Sequence, residues 1–211
     1  MVEASTSFAP NRNITDNSAA GISDTRTVSL ADNYAITSLS VSVNIDPRSS
    51  GMFNGDIYLT LAKGEEAFSV LLNRTGTRDD SSFGYGDNGF HITFSDSAAN
   101  DIHMYRLTAT GSNTTPLASN PLTGTWQPDA RNIDPDSVVN TDPRTAFLSA
   151  FKGLTPNGQW TLFAADLSSG GTAKLSSWSL NFVMVPEPGE TASAVAAVLS
   201  GFACLRLRRR K

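Results

Sequence analysis

Short runs in which apolar and polar residues alternate with a period of two recur along the chain. In each run the apolar side chains fall on one face of a predicted strand. The apolar members are Leu39, Val41, Val43 and Ile45; Ile57, Leu59 and Leu61; Phe68, Val70 and Leu72; Phe90, Ile92 and Phe94; Trp160, Leu162 and Ala164; and Trp178, Leu180, Phe182 and Met184. Strands with one apolar and one polar face are typical of two antiparallel sheets packed together.

Residues that favour turns separate these runs, at 64–66, 87–89, 156–158 and 169–171. The last of these segments, Ser-Gly-Gly, predicts a hairpin between the final two strands. No segment between residues 25 and 182 shows a sustained helical pattern. The sequence therefore predicts an all-β fold, an antiparallel β-sandwich whose core is centred on Trp160 and Trp178.

The region from residue 100 to 145 is less regular than the rest. Five prolines interrupt it, at 116, 121, 128, 135 and 143, and its second half is rich in aspartate. A long loop in a compact domain is often functional, but it is sometimes only an insertion. The sequence leaves both interpretations of the 116–145 loop open.

Charge and cysteine content exclude several classes of function. Charged residues make up 17% of the chain and the net charge is −4, so the domain lacks the basic face typical of nucleic-acid binding. The single cysteine, Cys204, lies near the C-terminus, which excludes a disulfide framework and a sulfur metal site. With only His91 and His103, both predicted on strand surfaces, no Ser-His-Asp triad is expected.

The C-terminus has three successive parts. Val185-Pro186-Glu187-Pro188-Gly189 is a proline-rich segment that predicts an exposed linker, residues 185–190. Residues 191–205 carry no charge and would form a helix of about 22 Å, shorter than a ~30 Å hydrocarbon core. A basic cluster ends the chain. A surface helix, a frayed tail or a nucleic-acid arm are the alternatives to a membrane segment.

The order of a Val-Pro-Glu-Pro motif, an apolar helix and a terminal arginine cluster resembles the PEP-CTERM sorting signal of bacterial exported proteins. The resemblance implies that an exosortase, a membrane-embedded peptidase, cuts near Val185, Pro186, Glu187 and Pro188. It also implies transient membrane anchoring through a helix and basic tail at 191–211, and a final location at the cell envelope or outside the cell. Residues 1–10 show no signal peptide, so the true start is expected upstream.

Three segments in the last third of the chain share a second pattern. They are Phe147-Leu148-Ser149-Ala150-Phe151-Lys152-Gly153, Pro156-Asn157-Gly158-Gln159-Trp160-Thr161-Leu162 and Leu175-Ser176-Ser177-Trp178-Ser179-Leu180. They resemble the P-domain (P/Homo B) of proprotein convertases and of bacterial secreted peptidases, in which an aspartate follows the PNGxWTL strand, as Asp166 does here. Gly55-Asp56-Ile57 and residues 89–96 resemble its earlier strands.

The P-domain resemblance implies a jelly-roll-like, galactose-binding-like sandwich over residues 24–184, preceded by an N-terminal extension or first strand at 1–23. It covers the accessory domain of convertases and not their peptidase, so the chain is expected not to be an enzyme, although the family is associated with serine endopeptidases and proteolysis. Some P-domains bind calcium, and Asp56, Asp96, Asp101 and Asp166 are the candidate ligands. The alternative is that each aspartate caps its own turn.

Three hypotheses for function follow. The first is a non-catalytic exported module for protein interaction or stabilisation, with a protease or envelope protein as partner. The second is an accessory subunit of a subtilisin-like endopeptidase encoded separately. The third is a carbohydrate-binding sandwich that stacks sugars on Trp126 or Tyr85.

Overall fold

The computed structural model describes residues 1–30 and 34–187. Their strands are β1 (Val2–Phe8), β2 (Arg12–Ile14), β3 (Ser18–Val28), β4 (Tyr34–Pro47), β5 (Ile57–Lys63), β6 (Ala67–Asn73), β7 (Phe90–Ser95), β8 (Leu122–Trp126), β9 (Gly158–Asp166) and β10 (Ala173–Pro186). A short helix, α1, spans Tyr105–Thr110, and two 3₁₀ turns span Asn54–Asp56 and Leu148–Phe151. None of the described residues forms a helix long and apolar enough to cross a membrane.

The strands form two sheets that pack as a sandwich, which confirms the predicted mostly-β architecture. The six-stranded sheet has the order β1-β10-β4-β7-β8, with β2 also paired to β10, and the four-stranded sheet has the order β3-β9-β5-β6. Pairing is antiparallel except between β7 and β8, which run parallel. The prediction of a purely antiparallel sandwich is therefore wrong at this edge, where the irregular region after β7 returns β8 in the same direction.

The structure confirms most of the apolar strand faces that the alternation predicted. The apolar residues of β4, β5, β7, β9 and β10 named above are all buried. Trp160 and Trp178 are almost fully enclosed, and Trp160 packs against Phe151 and Phe182 with ring centroids 5.0 and 5.6 Å apart. Both indoles thus lie in the buried core, as the alternation predicted.

The predicted face of β6 is wrong. Leu72 is buried in the core, but Phe68 is 38% exposed, and Val70 is buried outside the core cluster. The cause is a register shift opposite Leu59 and Thr60, where Leu72 pairs with Leu59 but Val70 pairs with Thr60. The extra residue, Leu71, moves Phe68 and Val70 to the outer face, as a β-bulge does.

The segment at 169–171 does not form a hairpin. β9 belongs to the four-stranded sheet and β10 to the six-stranded sheet, so this segment crosses from one layer to the other. At Gly171 an added Cβ would lie 2.8 Å from the Cα of Met52, so the crossing runs directly against backbone. Local turn chemistry is the same for a hairpin and a crossing, which is why the sequence did not separate them.

Strands of the described fold also lie outside residues 24–184, and the segment 1–23, predicted as an extension or a first strand, contains β1 and β2. β1 pairs with β10 over all seven residues, so the first residues of the chain belong to the six-stranded sheet. At the other end Val185 and Pro186 still pair, with Ala35 and Tyr34. The predicted linker therefore begins inside β10, whereas the predicted helix and basic tail at 191–211 lie outside the described residues.

Candidate functional site

Two of the predicted calcium ligands meet at one end of the sandwich. Asp56 ends the 3₁₀ turn that precedes β5, and Asp166 ends β9. Because Ile57 pairs with Asp166 in the four-stranded sheet, the two carboxylates come from adjacent backbone positions. A third carboxylate, Asp16, reaches the same place from the turn between β2 and β3.

Asp166 is the most perturbed carboxyl group of this end. Its side chain is only 1% exposed, and its Oδ1 atom accepts no hydrogen bond from any described residue. Burial, followed by the negative charges of Asp56 and Asp16, raises the pKa of Asp166 from 3.8 to about 7, although the backbone N–H of Ser168 opposes the rise. At neutral pH this carboxyl group is therefore poised between its neutral and charged forms.

Asp56 is buried beside a positive charge. Burial raises the pKa of Asp56, and the nearby charge of Asp16 adds to the rise, whereas the guanidinium of Arg74 and the hydroxyl of Ser168 act against it. Arg74 itself is fixed by hydrogen bonds to the carbonyl of Gly55 at 3.2 Å and to the Ser168 hydroxyl at 3.2 Å. The guanidinium of Arg74 thus offsets part of the negative charge around Asp56.

An open groove of about 550 Å³ lies over Asp56. Its other lining residues are Asn17, Phe53, Phe83, Gly84, Tyr85, Gly86, Leu167, Ser168 and Ser169. Phe83 is 79% exposed and Phe53 is 42% exposed, so two phenyl rings stand in solvent at the groove. The groove combines aromatic surface with carboxylate, and it lies at the end of the sandwich where the sheets are joined by loops.

The loop that carries Phe83 is held by backbone contacts. The N–H of Gly55 donates to the carbonyl of Tyr85 at 2.8 Å, and the N–H of Tyr85 donates to the carbonyl of Thr75 at 2.9 Å. Gly84 has a φ of +66°, and an added Cβ would lie 2.5 Å from the Thr75 oxygen. This close approach requires glycine, and it fixes the groove wall.

The other two predicted calcium ligands are engaged elsewhere. Asp96 accepts hydrogen bonds from the N–H groups of Leu148 and Ser149, at 3.1 and 2.6 Å. Asp96 directly follows Ser95, the last residue of β7. The groove lies beyond the other end of β7, because Asn54 donates a hydrogen bond to the carbonyl of Gly89, just before Phe90. Asp96 is therefore at the opposite end of the sandwich from the groove.

Asp101 pairs with Arg131 at 2.8 Å and with Arg144 at 3.5 Å. The structure therefore brings Asp56 and Asp166 together, but not Asp96 or Asp101. Within residues 1–30 and 34–187, no group of three histidine, cysteine, aspartate or glutamate side chains is arranged to hold a metal ion. Calcium at the Asp56 end stays a prediction.

The two histidines occupy different environments. His91 is exposed on β7, as predicted, and its Nε2 lies 2.7 Å from Asp46. His103 is not on a strand surface as predicted. It is fully buried, with Nδ1 2.7 Å from Asp129 and Nε2 2.8 Å from the carbonyl of Thr77. Because both ring nitrogens of His103 are occupied and no solvent reaches them, it has no access to a substrate.

One arrangement superficially resembles a catalytic triad. The hydroxyl of Ser176 and the imidazole of His91 both bond to the carboxylate of Asp46. Nucleophilic catalysis requires the imidazole between serine and carboxylate, because the imidazole takes the serine proton. Here the carboxylate is in the middle, so it orients two polar groups without activating the serine.

The predicted sugar platforms are wrong. Tyr85 is 1% exposed, and its hydroxyl donates to Asn113 at 2.6 Å. Trp126 is buried as well, and its indole N–H donates to the carbonyl of Thr123. The polar composition of their loops indicated exposure, but both rings pack against Tyr105 in a buried aromatic cluster. Neither ring can stack on a sugar.

Sequence reasoning missed Asp16, Phe53 and Phe83. Asp16 lies 40 residues before Asp56 and 150 before Asp166, and no spacing links them. The only local signal is a Thr-Asp-Asn-Ser turn, which many loops share. The two phenylalanines stand next to Asn-Gly and Gly-Tyr-Gly, which mark turns but do not reveal a groove.

No family model and no curated protein matches this sequence. Among solved structures, the crystal structure of Aeromonas sobria serine protease with the chaperone ORF2 gives a TM-score of 0.47 at 14% identity, covering 89% of this chain and 27% of that chain. A structure of serine protease of Aeromonas sobria gives 0.43 at 15% identity, covering 86% and 26%. This chain spans about a quarter of those proteins, and the values are too low to carry a functional argument.

Proposed function

We propose that this chain is a non-catalytic, exported interaction module with a P-domain-type, jelly-roll-like sandwich. The observation that carries the proposal is the position of the two family-like motifs. The PNGxWTL segment leads into β9 and the L-x-SWSL segment lies in β10, and each places its tryptophan in the shared core. If the resemblance concerned only surface residues, the two motif tryptophans would not have to be buried in the core.

The absence of a catalytic arrangement among the described residues supports a binding role. His103 is enclosed, and His91 is connected to Ser176 only through Asp46. The large surface of the sandwich, with loops gathered at its ends, is suited to contact with another protein. The partner class remains a protease or an envelope protein.

The C-terminal sorting role is part of the proposal. Val185 and Pro186 are the last paired residues of β10, and Glu187 follows them as an exposed residue, so the Val-Pro-Glu-Pro motif begins within the last strand of the described fold. A peptidase of the exosortase type would reach the motif at Glu187, beyond the paired strand. Before cleavage the tail would hold the module at the membrane.

Fractionation of a producing bacterium tests the sorting role. We expect the full chain to appear at the envelope or outside the cell in a form shortened by roughly the 185–211 segment. Replacing both prolines of the motif, Pro186→Ala with Pro188→Ala, should leave an unshortened form in the membrane fraction. Equal processing of this variant and the natural chain would contradict the proposed sorting signal.

A protease assay with the purified full chain tests the non-catalytic role. We expect no hydrolysis of an unfolded protein substrate. Hydrolysis that disappears in Ser176→Ala or His91→Ala would contradict the proposal. If a separately encoded subtilisin-like protease is stabilised by added chain, the accessory-subunit alternative would be supported over a structural envelope role.

A further inference from the structure

The groove end of the sandwich has more negative than positive charge. Three carboxylates, Asp16, Asp56 and Asp166, influence one another there, and Arg74 is the cation that acts on Asp56. The Arg74 guanidinium is also shared among other acceptors, since it donates to the carbonyl oxygens of Gly55 and Ser82. The charge of the site is therefore not balanced within the fold.

Two carboxylate oxygens of this cluster have no hydrogen-bond donor among the described residues. They are Oδ1 of Asp166, whose residue is 1% exposed, and Oδ1 of Asp16. A buried acceptor without a donor lowers stability, and proteins rarely leave one unsatisfied. Asp56 is the member of this cluster that lines the open groove, so a ligand in the groove that brings positive charge and hydrogen-bond donors would act on the cluster through Asp56.

The aromatic walls restrict the class of that ligand. Phe53 and Phe83 present their rings to solvent at the same groove that has Asp56 in its lining. A phenyl face attracts an organic cation, and it also covers the aliphatic stem of a long side chain. A bare metal ion would make no use of these walls, and no three acidic or histidine side chains in the described part are arranged to hold one.

We infer that this groove binds a basic side chain presented by a partner polypeptide, with arginine as the best fit. A guanidinium is planar, so it can stack on a phenyl ring while its N–H groups fork toward carboxylate oxygens. The groove volume of about 550 Å³ is within the ~300–1,000 Å³ typical of ligand sites. The inference deepens the proposed interaction role and rests on it, because it states what the partner presents.

Binding should be linked to proton release. A positive charge near Asp166 favours the ionised form of that carboxyl group, on which Asp56 and Asp16 act, while Arg74 acts on Asp56. At pH 6 the bound cation must displace a proton from the cluster, and at pH 8 it need not. Affinity should therefore increase as the pH rises from 6 to 8.

Calorimetric titration of the full chain with a blocked tripeptide, acetyl-Gly-Arg-Gly-amide, tests the inference. The matched probe is the same peptide with citrulline, which has the shape of arginine without its charge. We expect the arginine peptide to bind at least tenfold more tightly than the citrulline peptide, and more tightly at pH 8 than at pH 6. Equal binding of the two peptides, or no binding of the arginine peptide at millimolar concentration, would overturn the inference.

Variants locate the site. Phe83→Ala and Asp56→Asn should each weaken the arginine peptide at least fivefold. Phe68→Ala, which removes an exposed phenylalanine from the outer face of β6, and Asp136→Asn, which neutralises an exposed loop carboxylate, should not change it. Because Phe83 is largely exposed, its removal should leave the fold intact, and a melting curve checks this. Unchanged binding by Phe83→Ala would contradict the site.

Adding calcium distinguishes a metal ion from a basic side chain as the ligand of this site. If 1 mM calcium raises the melting temperature and displaces the arginine peptide, the cluster is a metal site and the inference fails. If calcium has no effect while the peptide binds, the basic side chain is the ligand. Failure of peptide binding would leave the interaction role standing, since that role is tested by sorting and by the protease assay.

Discussion

The indole N–H of Trp178 donates a 2.7 Å hydrogen bond to Oδ2 of Asp24, and this bond joins the two sheets across the core. Trp178 lies on β10 of the six-stranded sheet, and Asp24 lies on β3 of the four-stranded sheet. Asp24 also bonds to the guanidinium of Arg26 at 3.0 Å, and Phe8 packs on the indole with a centroid distance of 4.6 Å. The tryptophan therefore serves both as apolar core and as a polar connection.

Replacing Trp178 with alanine should reduce the free energy of unfolding by about 3–5 kcal/mol, because the substitution opens a cavity and removes the donor to Asp24. Chemical denaturation monitored by circular dichroism measures the loss. As a control, Phe83→Ala removes a largely exposed ring and should change stability by less than about 0.5 kcal/mol. Similar losses for the two variants would contradict the core position of the indole.

Stability should decrease as the pH rises from 4 to 8 because of Asp166. In the unfolded chain this group ionises near 3.8, but in the folded chain its pKa is about 7. Between these values the folded state holds a proton that the unfolded state has lost, so added base favours unfolding until the folded group also ionises.

Asp166→Asn should remove this dependence. Each unit of pKa shift corresponds to about 1.4 kcal/mol. The free energy of unfolding of the variant, relative to that of the natural chain, should therefore increase by on the order of 2–4 kcal/mol between pH 4 and pH 8. Urea denaturation at a series of pH values measures the difference. Asp136→Asn, in an exposed loop, should give a curve parallel to that of the natural chain, and a parallel curve for Asp166→Asn would argue against the perturbed carboxyl group.

Removing the buried carboxylate of Asp129 should destabilise the fold by about 3 kcal/mol or more. Asp129 contacts His103 at 2.7 Å and Arg131 at 3.1 Å, and all three residues are buried. Asp129→Ala would leave two buried polar groups without this partner, which costs more than the lost contact itself. Thermal melting compares it with Asp79→Ala, an exposed position expected to change stability by less than about 0.5 kcal/mol.

Two glycines offer a matched test of the groove wall. Gly84 and Gly64 both have positive φ, +66° and +52°, so alanine at either position carries the backbone cost of about 1–2 kcal/mol. At Gly64 an added Cβ meets open space, whereas at Gly84 it meets the Thr75 oxygen at 2.5 Å. Gly84→Ala should therefore be the more destabilising substitution in a melting experiment, and equal effects would contradict the close approach.

Period-two alternation was sufficient to predict β4, β5, β7, β9 and β10, because the apolar positions named for each strand keep to one face, even though two register shifts interrupt the pairing of β10 with β4. It failed in β6, where the extra Leu71 changes the face, since a bulge leaves no mark in a short apolar run. Turn composition failed at 169–171, because small turn residues fit both a hairpin and a crossing between layers. Parallel pairing of β8 with β7 depends on the route of a long loop, which alternation does not encode.

The candidate site was predictable only in part. Asp56 and Asp166 stood out through family-like motifs, but Asp16 joins them only after β3 and β9 have paired. Phe53 and Phe83 line one groove because the backbones of the nearby glycines, Gly55 and Gly84, are in contact in the folded chain. Contacts between residues so far apart in sequence follow from topology and not from local pattern.

The position of β10 determines when this protein can fold. It is the last strand of the described chain, yet it lies inside its sheet, with β4 along one side and β1 and β2 along the other. Until residue 186 has been synthesised, three earlier strands have no neighbour on that side, and such long-range pairing is slow to form. The six-stranded sheet can therefore be completed only after this last strand has left the ribosome.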